Sequence, residues 1–385
     1  MPETPEMPEI MRQDVGQLLW IGFSGPVSPA LRGRLARGQA GAVVLFKRNL
    51  PIAVVDGPGG GEERCDLEAL AALNADLHAA APDGAPLLIA VDQEGGVVQR
   101  VRAPATRWPE MAAFDRFAPP EDTALAEQVG RAMGDELAAL GFDIDFAPVL
   151  DVHTNPANPI IGGRAFGTEP EAVARRALAF ARGLGAAGMI ACGKHFPGHG
   201  DTTTDSHLEL PRIDHDWDRL ERVELLPFRR AAAAGVPLIM TAHVVFAALD
   251  PGRPATLSPQ VMTGLLRERI GYRGVIVSDD LDMRAIADHT DAGGVGGAAV
   301  AAIRAGCDVL LLCKDEDHQA AAEAALIRQA EGDPAFRRRI GESAERVRAL
   351  KRTHAQARAA RPAPPLDAVG SEPHRRLAEH LAGAR

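Results

Sequence analysis

Residues Leu265–Asp282, LLRERIGYRGVIVSDDLD, read as the end of a helix, a turn and a strand. Ser258 and Pro259 supply a cap and a first helical position for a helix over Ser258–Ile270, and Gly271 suits its exit. Gly274 completes the turn, and the uninterrupted apolar run Val275–Ser278 then climbs into Asp279 and Asp280. A strand that is apolar throughout is covered on both faces, as in a parallel sheet joined by crossover helices. Working outward, seven more runs read the same way: Leu18–Phe23, Ala42–Phe46, Leu87–Val91, Asp145–Leu150, Met189–Gly193, Leu238–Ala242 and Asp308–Leu312. Segments of helical period lie between them, among them Glu121–Leu140, Pro170–Ala186 and Trp217–Ala234. Eight strands alternating with helices predict an α/β fold, a single closed (β/α)8 barrel of the TIM type.

The stretch Asp56–Glu63, DGPGGGEE, carries too many glycines for regular structure and reads as a loop after the second strand. From Pro334 the chain reads as an Arg-rich helix, a break at Arg361–Pro365 and a short final helix. Glu342 and Glu345 are interspersed among the arginines, which favours a solvated helix packing on the barrel over a basic binding surface.

With 385 residues, 46% hydrophobic and 24% charged, the chain can bury a large core. Its formal charge of −10 supplies no net positive field to attract nucleic acid or an anionic membrane. No apolar stretch approaches the ~20 residues of a membrane-spanning helix. Met1–Asp14 lacks the basic start and apolar run of a secretory signal, so a cytoplasmic location is expected. Cys65, Cys192, Cys307 and Cys313 show no CxxC spacing and are expected to be reduced, buried and structural.

Polar groups follow the apolar strands at Asp92, Asp151, Lys194 with His195, His243 and Asp279. Barrel stability does not require them, and their convergence on one rim points to a site for a polar ligand. The run Lys194–His207, KHFPGHGDTTTDSH, concentrates this chemistry. As a phosphate loop it fails, because its Gly and Lys are in the wrong order. As a metal site it offers His195, His199, His207 and two aspartates, at a spacing that matches no compact zinc motif. As a sugar site it offers Asp205 and His207, two apart, so that in an extended loop the carboxylate can orient an imidazole that moves a proton near neutral pH. One of Asp279 and Asp280 must face inward; adjacent carboxylates also occur where the substrate's own acetamido group is the nucleophile, so the pair alone does not choose a mechanism.

Together these motifs resemble glycoside hydrolase family 3, specifically its β-N-acetylglucosaminidase branch. The resemblance runs in order through Gly41–Asn49, Ala90–Arg100 (AVDQEGGVVQR), Phe146–Val152, Asn158–Gly167 (NPIIGGRAFG), Lys194–His207, Thr241–Phe246 and Gly274–Asp280. It implies a retaining enzyme without cofactor or metal, in which Asp279 is the nucleophile and His207, paired with Asp205, is the acid/base. It also implies that Asp92, Arg100, Arg164, Lys194 and His195 hold the terminal sugar, with Asp151 and His243 in support and His199 and Asp201 shaping the loop. The implied substrate is a small peptidoglycan fragment, N-acetylglucosamine on anhydro-N-acetylmuramic acid, met during wall recycling. The implied division is a tail, 1–14, a catalytic barrel, 15–360, and a C-terminal extension, 361–385. Some members continue into a sandwich domain, and here the site is expected to be complete within the barrel. Val97 departs from the Arg or small polar residue usual at its place, without touching Arg100. Two rivals stay open: a phosphorylase, since a histidine acid/base does not repel phosphate as a carboxylate would, and a metal-dependent hydrolase using the histidine cluster.

Overall fold

The structure, a computed structural model, describes residues 7–57, 60–82, 84–204, 210–283, 286 and 294–383. Eight strands close into a barrel: β1 (Leu19–Ile21), β2 (Ala42–Leu45), β3 (Leu88–Val91), β4 (Ile144–Asp145), β5 (Ile190–Phe196), β6 (Leu238–Thr241), β7 (Val275–Asp280) and β8 (Val309–Leu312). Each is parallel to its neighbours in sequence, and β8 returns to β1 with Leu19 opposite Leu310. All eight expected strands are present, the fourth much shortened.

Among the described residues the longer helices are α1 (Met7–Leu18), α2 (Pro29–Ala36), α3 (Leu67–Ala79), α4 (Glu121–Ala139), α5 (Pro170–Ala186), α6 (Trp217–Arg222), α7 (Leu226–Ala234), α8 (Gln260–Arg269, wound as a π-helix), α9 (Gly294–Ala305), α10 (Glu316–Gly332), α11 (Pro334–Ala360) and α12 (Glu372–Ala382). From α2 to α10 they form the outer ring. Alternate strand residues serve two cores, as a period of two requires. Trp20, Val44, Leu88, Phe146, Met240 and Leu311 fill the lumen, with the Trp20 and Phe146 rings stacked at 6.5 Å between centroids. Val43, Leu45, Ile89, Ile239 and Ile276 face the helices instead.

Two expectations need correction. The glycine-rich stretch is no irregular loop: Ile52–Gly57 and Gly60–Cys65 pair as an antiparallel hairpin, with Val54 opposite Glu63. Backbone hydrogen bonds need no side chain, so glycine content alone does not forbid a ladder. The expected helix Trp217–Ala234 is broken at Val223–Leu225, because Pro227 near the start of α7 has no N–H to continue the ladder. The break also carries Glu224 inward, 2% exposed and 3.1 Å from Arg219.

α11 crosses the N-terminal end of the barrel and closes it, with Val347 and Leu350 against the lumen and α1 along its side. The four cysteines are buried and free. No helix of the described residues is long and apolar enough to cross a membrane.

Candidate active site

The lumen side chains leave a cavity of about 220 Å³ at the opposite end, where the strands finish. Asp92 follows β3, Lys194 and His195 lie within β5, and Asp279 and Asp280 end β7. Arg100 and Arg164 come from loops after β3 and β4. All seven line this one cavity. Asp205 and His207, the expected acid/base pair, lie outside the described residues.

On one wall, Lys194 sends Nζ to Asp92 Oδ1 at 2.9 Å and to Glu94 Oε1 at 2.5 Å. Glu94 holds the guanidinium of Arg164 in a fork, with Nε at 2.7 Å and a second nitrogen at 2.8 Å. Arg100 approaches Asp92 at 3.5 Å. Burial opposes the charge on Glu94, but Arg164 and Lys194 outweigh it and hold the carboxyl well below the usual range. Burial likewise opposes the charge on Lys194, and Asp92 and Glu94 raise its pKa above that of a free lysine. Alternating charges at this density form a fixed set of donors and acceptors before any ligand arrives. Lys194 uses two of its three N–H groups on carboxylates, leaving one for the cavity.

Asp151 sits just below, fully buried. Its Oδ2 lies 2.6 Å from His195 Nδ1, and its Oδ1 accepts the backbone N–H of His199 at 2.6 Å. A carboxylate at Nδ1 puts a proton there and leaves Nε2 of His195 for the cavity. Burial works against the charge on Asp151, and His195 and His199 more than offset it, so its pKa is lowered. His199 also lines the cavity; burial, with His195 beside it, brings its pKa down to about 4 despite Asp151 and Asp279. Gly200 is required here, since a Cβ would lie 1.8 Å from the Val152 carbonyl oxygen. Asp201 turns away from the cavity and bonds His215 and Thr154 at 2.5 and 2.8 Å, which anchors the near end of the loop.

Opposite this wall, Asp279 Oδ1 accepts the N–H of Asp280 at 2.8 Å. Asp280 itself accepts from the N–H groups of Asp282 and Cys313, both at 3.1 Å. Burial first, then Asp282 and Asp279, push its pKa up to about 7. Phe46, Phe146, Met240 and Met283 supply apolar surface between the polar walls.

Glu94 is the residue sequence reasoning missed. The signal was present: it stands two positions after Asp92, on the same side of an extended segment, within Gln93–Gly95. A larger cavity of about 1090 Å³ lies on the outer wall between α9 and α10, lined largely by Gly and Ala with Arg253, Arg304 and Arg328. It is remote from the strand ends and offers no nucleophile among its described residues.

The sequence profile of the glycosyl hydrolase family 3 N terminal domain matches residues 10–350. A β-hexosaminidase from Alkalilimnicola ehrlichii is 43% identical over 321 residues, which are 82% of this chain and 85% of that protein. Among solved structures, a family 3 β-N-acetylglucosaminidase from Paenibacillus superposes with a TM-score of 0.84 at 38% identity, over 99% of this chain and 69% of that one. NagZ from Neisseria gonorrhoeae, in complex with N-trifluoroacetyl-D-glucosamine, gives a TM-score of 0.74 at 33% identity, over 96% and 97% of the two chains.

Proposed function

The chain belongs to glycosyl hydrolase family 3 and is a glycoside hydrolase, and on that premise we propose that it removes terminal β-linked N-acetylglucosamine with retention, using no cofactor. The support in the relatives is direct: the Alkalilimnicola protein is named a β-hexosaminidase, and the Neisseria structure holds a glucosamine derivative. The observation that carries the reading is the meeting of Asp279 with the Asp92–Lys194–Glu94–Arg164 array across one small cavity.

In this reading the array binds the hydroxyl and acetamido groups of the terminal sugar, with Arg100 and His195 beside it, and presents its anomeric carbon to Asp279. An Asp279 oxygen bonds that carbon while the bond to the leaving oxygen breaks, and His207, oriented by Asp205, gives the leaving oxygen a proton. Water then returns a proton to His207 as its oxygen displaces Asp279 from the sugar. Burial and its acidic neighbours raise the pKa of Asp280, which lessens the negative charge beside Asp279.

We take the natural substrate to be a small peptidoglycan fragment, N-acetylglucosamine on anhydro-N-acetylmuramic acid, handled in the cytoplasm by the barrel of residues 15–360, with 361–385 as an extension. Release of nitrophenol from an aryl β-N-acetylglucosaminide, without added metal or phosphate, tests the activity. Turnover by the wild type and a loss of 10⁴-fold or more in Asp279→Asn are expected. An inactive wild type, or turnover only with phosphate and formation of a sugar 1-phosphate, overturns the hydrolytic reading.

A further inference from the structure

Beside Asp279 and Asp280, on the neighbouring strand β6 and the segment that follows it, lie Thr241, Thr256 and His243, each fully buried. Thr241 ends β6, His243 follows two residues on, and Thr256 sits in the short helical turn Ala255–Leu257. The N–H of Asp279 reaches Thr241 Oγ1 at 3.3 Å. Thr241 and Thr256 join hydroxyl to hydroxyl at 2.7 Å. Thr256 Oγ1 meets His243 Nδ1 at 2.8 Å, and His243 Nε2 meets the carbonyl oxygen of Asp280 at 3.1 Å.

The two ends of this string are a donor and an acceptor. An amide N–H can only donate and a carbonyl can only accept. Nε2 of His243 therefore carries a hydrogen, and the Thr256 hydroxyl stands between two acceptors, Nδ1 of the neutral ring at 2.8 Å and the Ala242 carbonyl oxygen at 3.1 Å. Thr256 in turn accepts from Thr241, and Thr241 accepts from Asp279. The string leaves Asp279 at its N–H and returns to Asp280 at its C=O. Between those two points stands the peptide whose N–H holds Asp279 Oδ1 at 2.8 Å. The orientation of the carboxylate thus follows from the plane of that peptide, and the plane is held on both sides by one string.

We propose that Thr241, Thr256 and His243 are positioning residues for the glycosidase reaction, a hydrogen-bond circuit that aims the Asp279 carboxylate at the anomeric carbon. The proposal rests on Asp279 being the nucleophile. None of the three needs to touch the sugar. Their effect is on the attack geometry, where displacement by about 1 Å can cost ~100-fold in rate. Thr256 is the link most open to test, because valine matches its shape and lacks its hydroxyl, whereas serine restores the hydroxyl without the methyl.

The experiment compares Thr256→Val, Thr256→Ser and Thr241→Val with the wild type on an aryl β-N-acetylglucosaminide, reading kcat and KM separately together with the thermal midpoint. Thr256→Val and Thr241→Val are expected to lower kcat by about 10- to 100-fold with KM within about threefold, and Thr256→Ser to recover most of the loss. Wild-type kcat in both valine variants overturns the proposal. So does a loss that serine fails to restore and that follows the thermal midpoint, which is the behaviour of a purely structural contact. Asp279→Asn is measured alongside. An active Asp279→Asn overturns the nucleophile assignment itself, whereas an inactive one beside fully active valine variants overturns only the circuit.

Discussion

Two buried carboxylates, at opposite ends of the barrel, each hold more than one cation. Glu94 at the mouth is 2% exposed and binds Arg164 and Lys194. Asp308 at the floor is fully buried and binds Arg267, Arg339 and Arg346, with Ser343 at 2.9 Å and the N–H of Ile276 at 3.0 Å. The difference lies in where the cations spend their remaining hydrogens. At the floor, Arg267 caps the carbonyls of Tyr272 and Gly274, and Arg339 caps those of Gly306 and Cys307, so the cluster ties α8 and α11 to the starts of β7 and β8. At the mouth, the same kind of cluster lines a cavity with donors to spare and a carboxylate across from it. Buried charge by itself therefore does not mark a site. Donors left facing a cavity do.

That contrast is open to attack from both ends. The largest effect is expected at the floor. Asp308→Ala leaves three guanidiniums without their common anion and should lower stability by about 3–5 kcal/mol, with kcat/KM of the folded fraction near wild type. Denaturant unfolding and kinetics on the same sample check it; a variant as stable as wild type would make the floor cluster idle. Next comes Glu94→Gln, which keeps the shape and removes the charge. Its kcat/KM should drop by about 100-fold, ~3 kcal/mol of transition-state binding, with a smaller change in unfolding midpoint. A shifted midpoint with unchanged kcat/KM would make the mouth cluster a fastener like the floor.

The sequence disclosed these two regions unequally. The barrel was legible because apolar runs and helical period alternate eight times, and the mouth because Asp92, Lys194, His195 and Asp279 interrupt otherwise apolar strand ends. Glu94 was hidden by standing among glycines and polar residues, where no apolar background sets it off. The floor was illegible for a different reason. Arg267, Arg339 and Arg346 lie 41, 31 and 38 positions from Asp308, and only the closed fold gathers them. α11 was expected as a solvated helix on the barrel, and one of its faces is solvated. The other presents Arg339, Arg346, Lys351 and His354 to the barrel floor. Charge composition carries no record of which face a charge occupies.

Lys351 gives the smallest expected effect and separates the two ends by pH. It is 4% exposed, 2.7 Å from Gln17 Oε1 and remote from the cavity. Burial, with Arg348 adding to it and Asp143 opposing, brings its pKa down to about 7, against 10.5 for an ordinary lysine. Between those two values the unfolded chain binds a proton that the folded chain does not. Stability is therefore lost as pH falls from about 10.5 towards 7 and levels off below, where both states are protonated. Lys351→Met removes that linkage and leaves Gln17 without its donor, a partly offsetting loss. The variant should exceed the wild type in stability by about 2 kcal/mol at pH 7 and below, and the advantage should shrink and then reverse towards pH 10. Its kcat/KM should not change at any pH, since the mouth is untouched. Thermal midpoints of the two proteins across that range decide the matter: curves that run parallel would mean that Lys351 titrates as an ordinary lysine and that the floor buries no suppressed charge there.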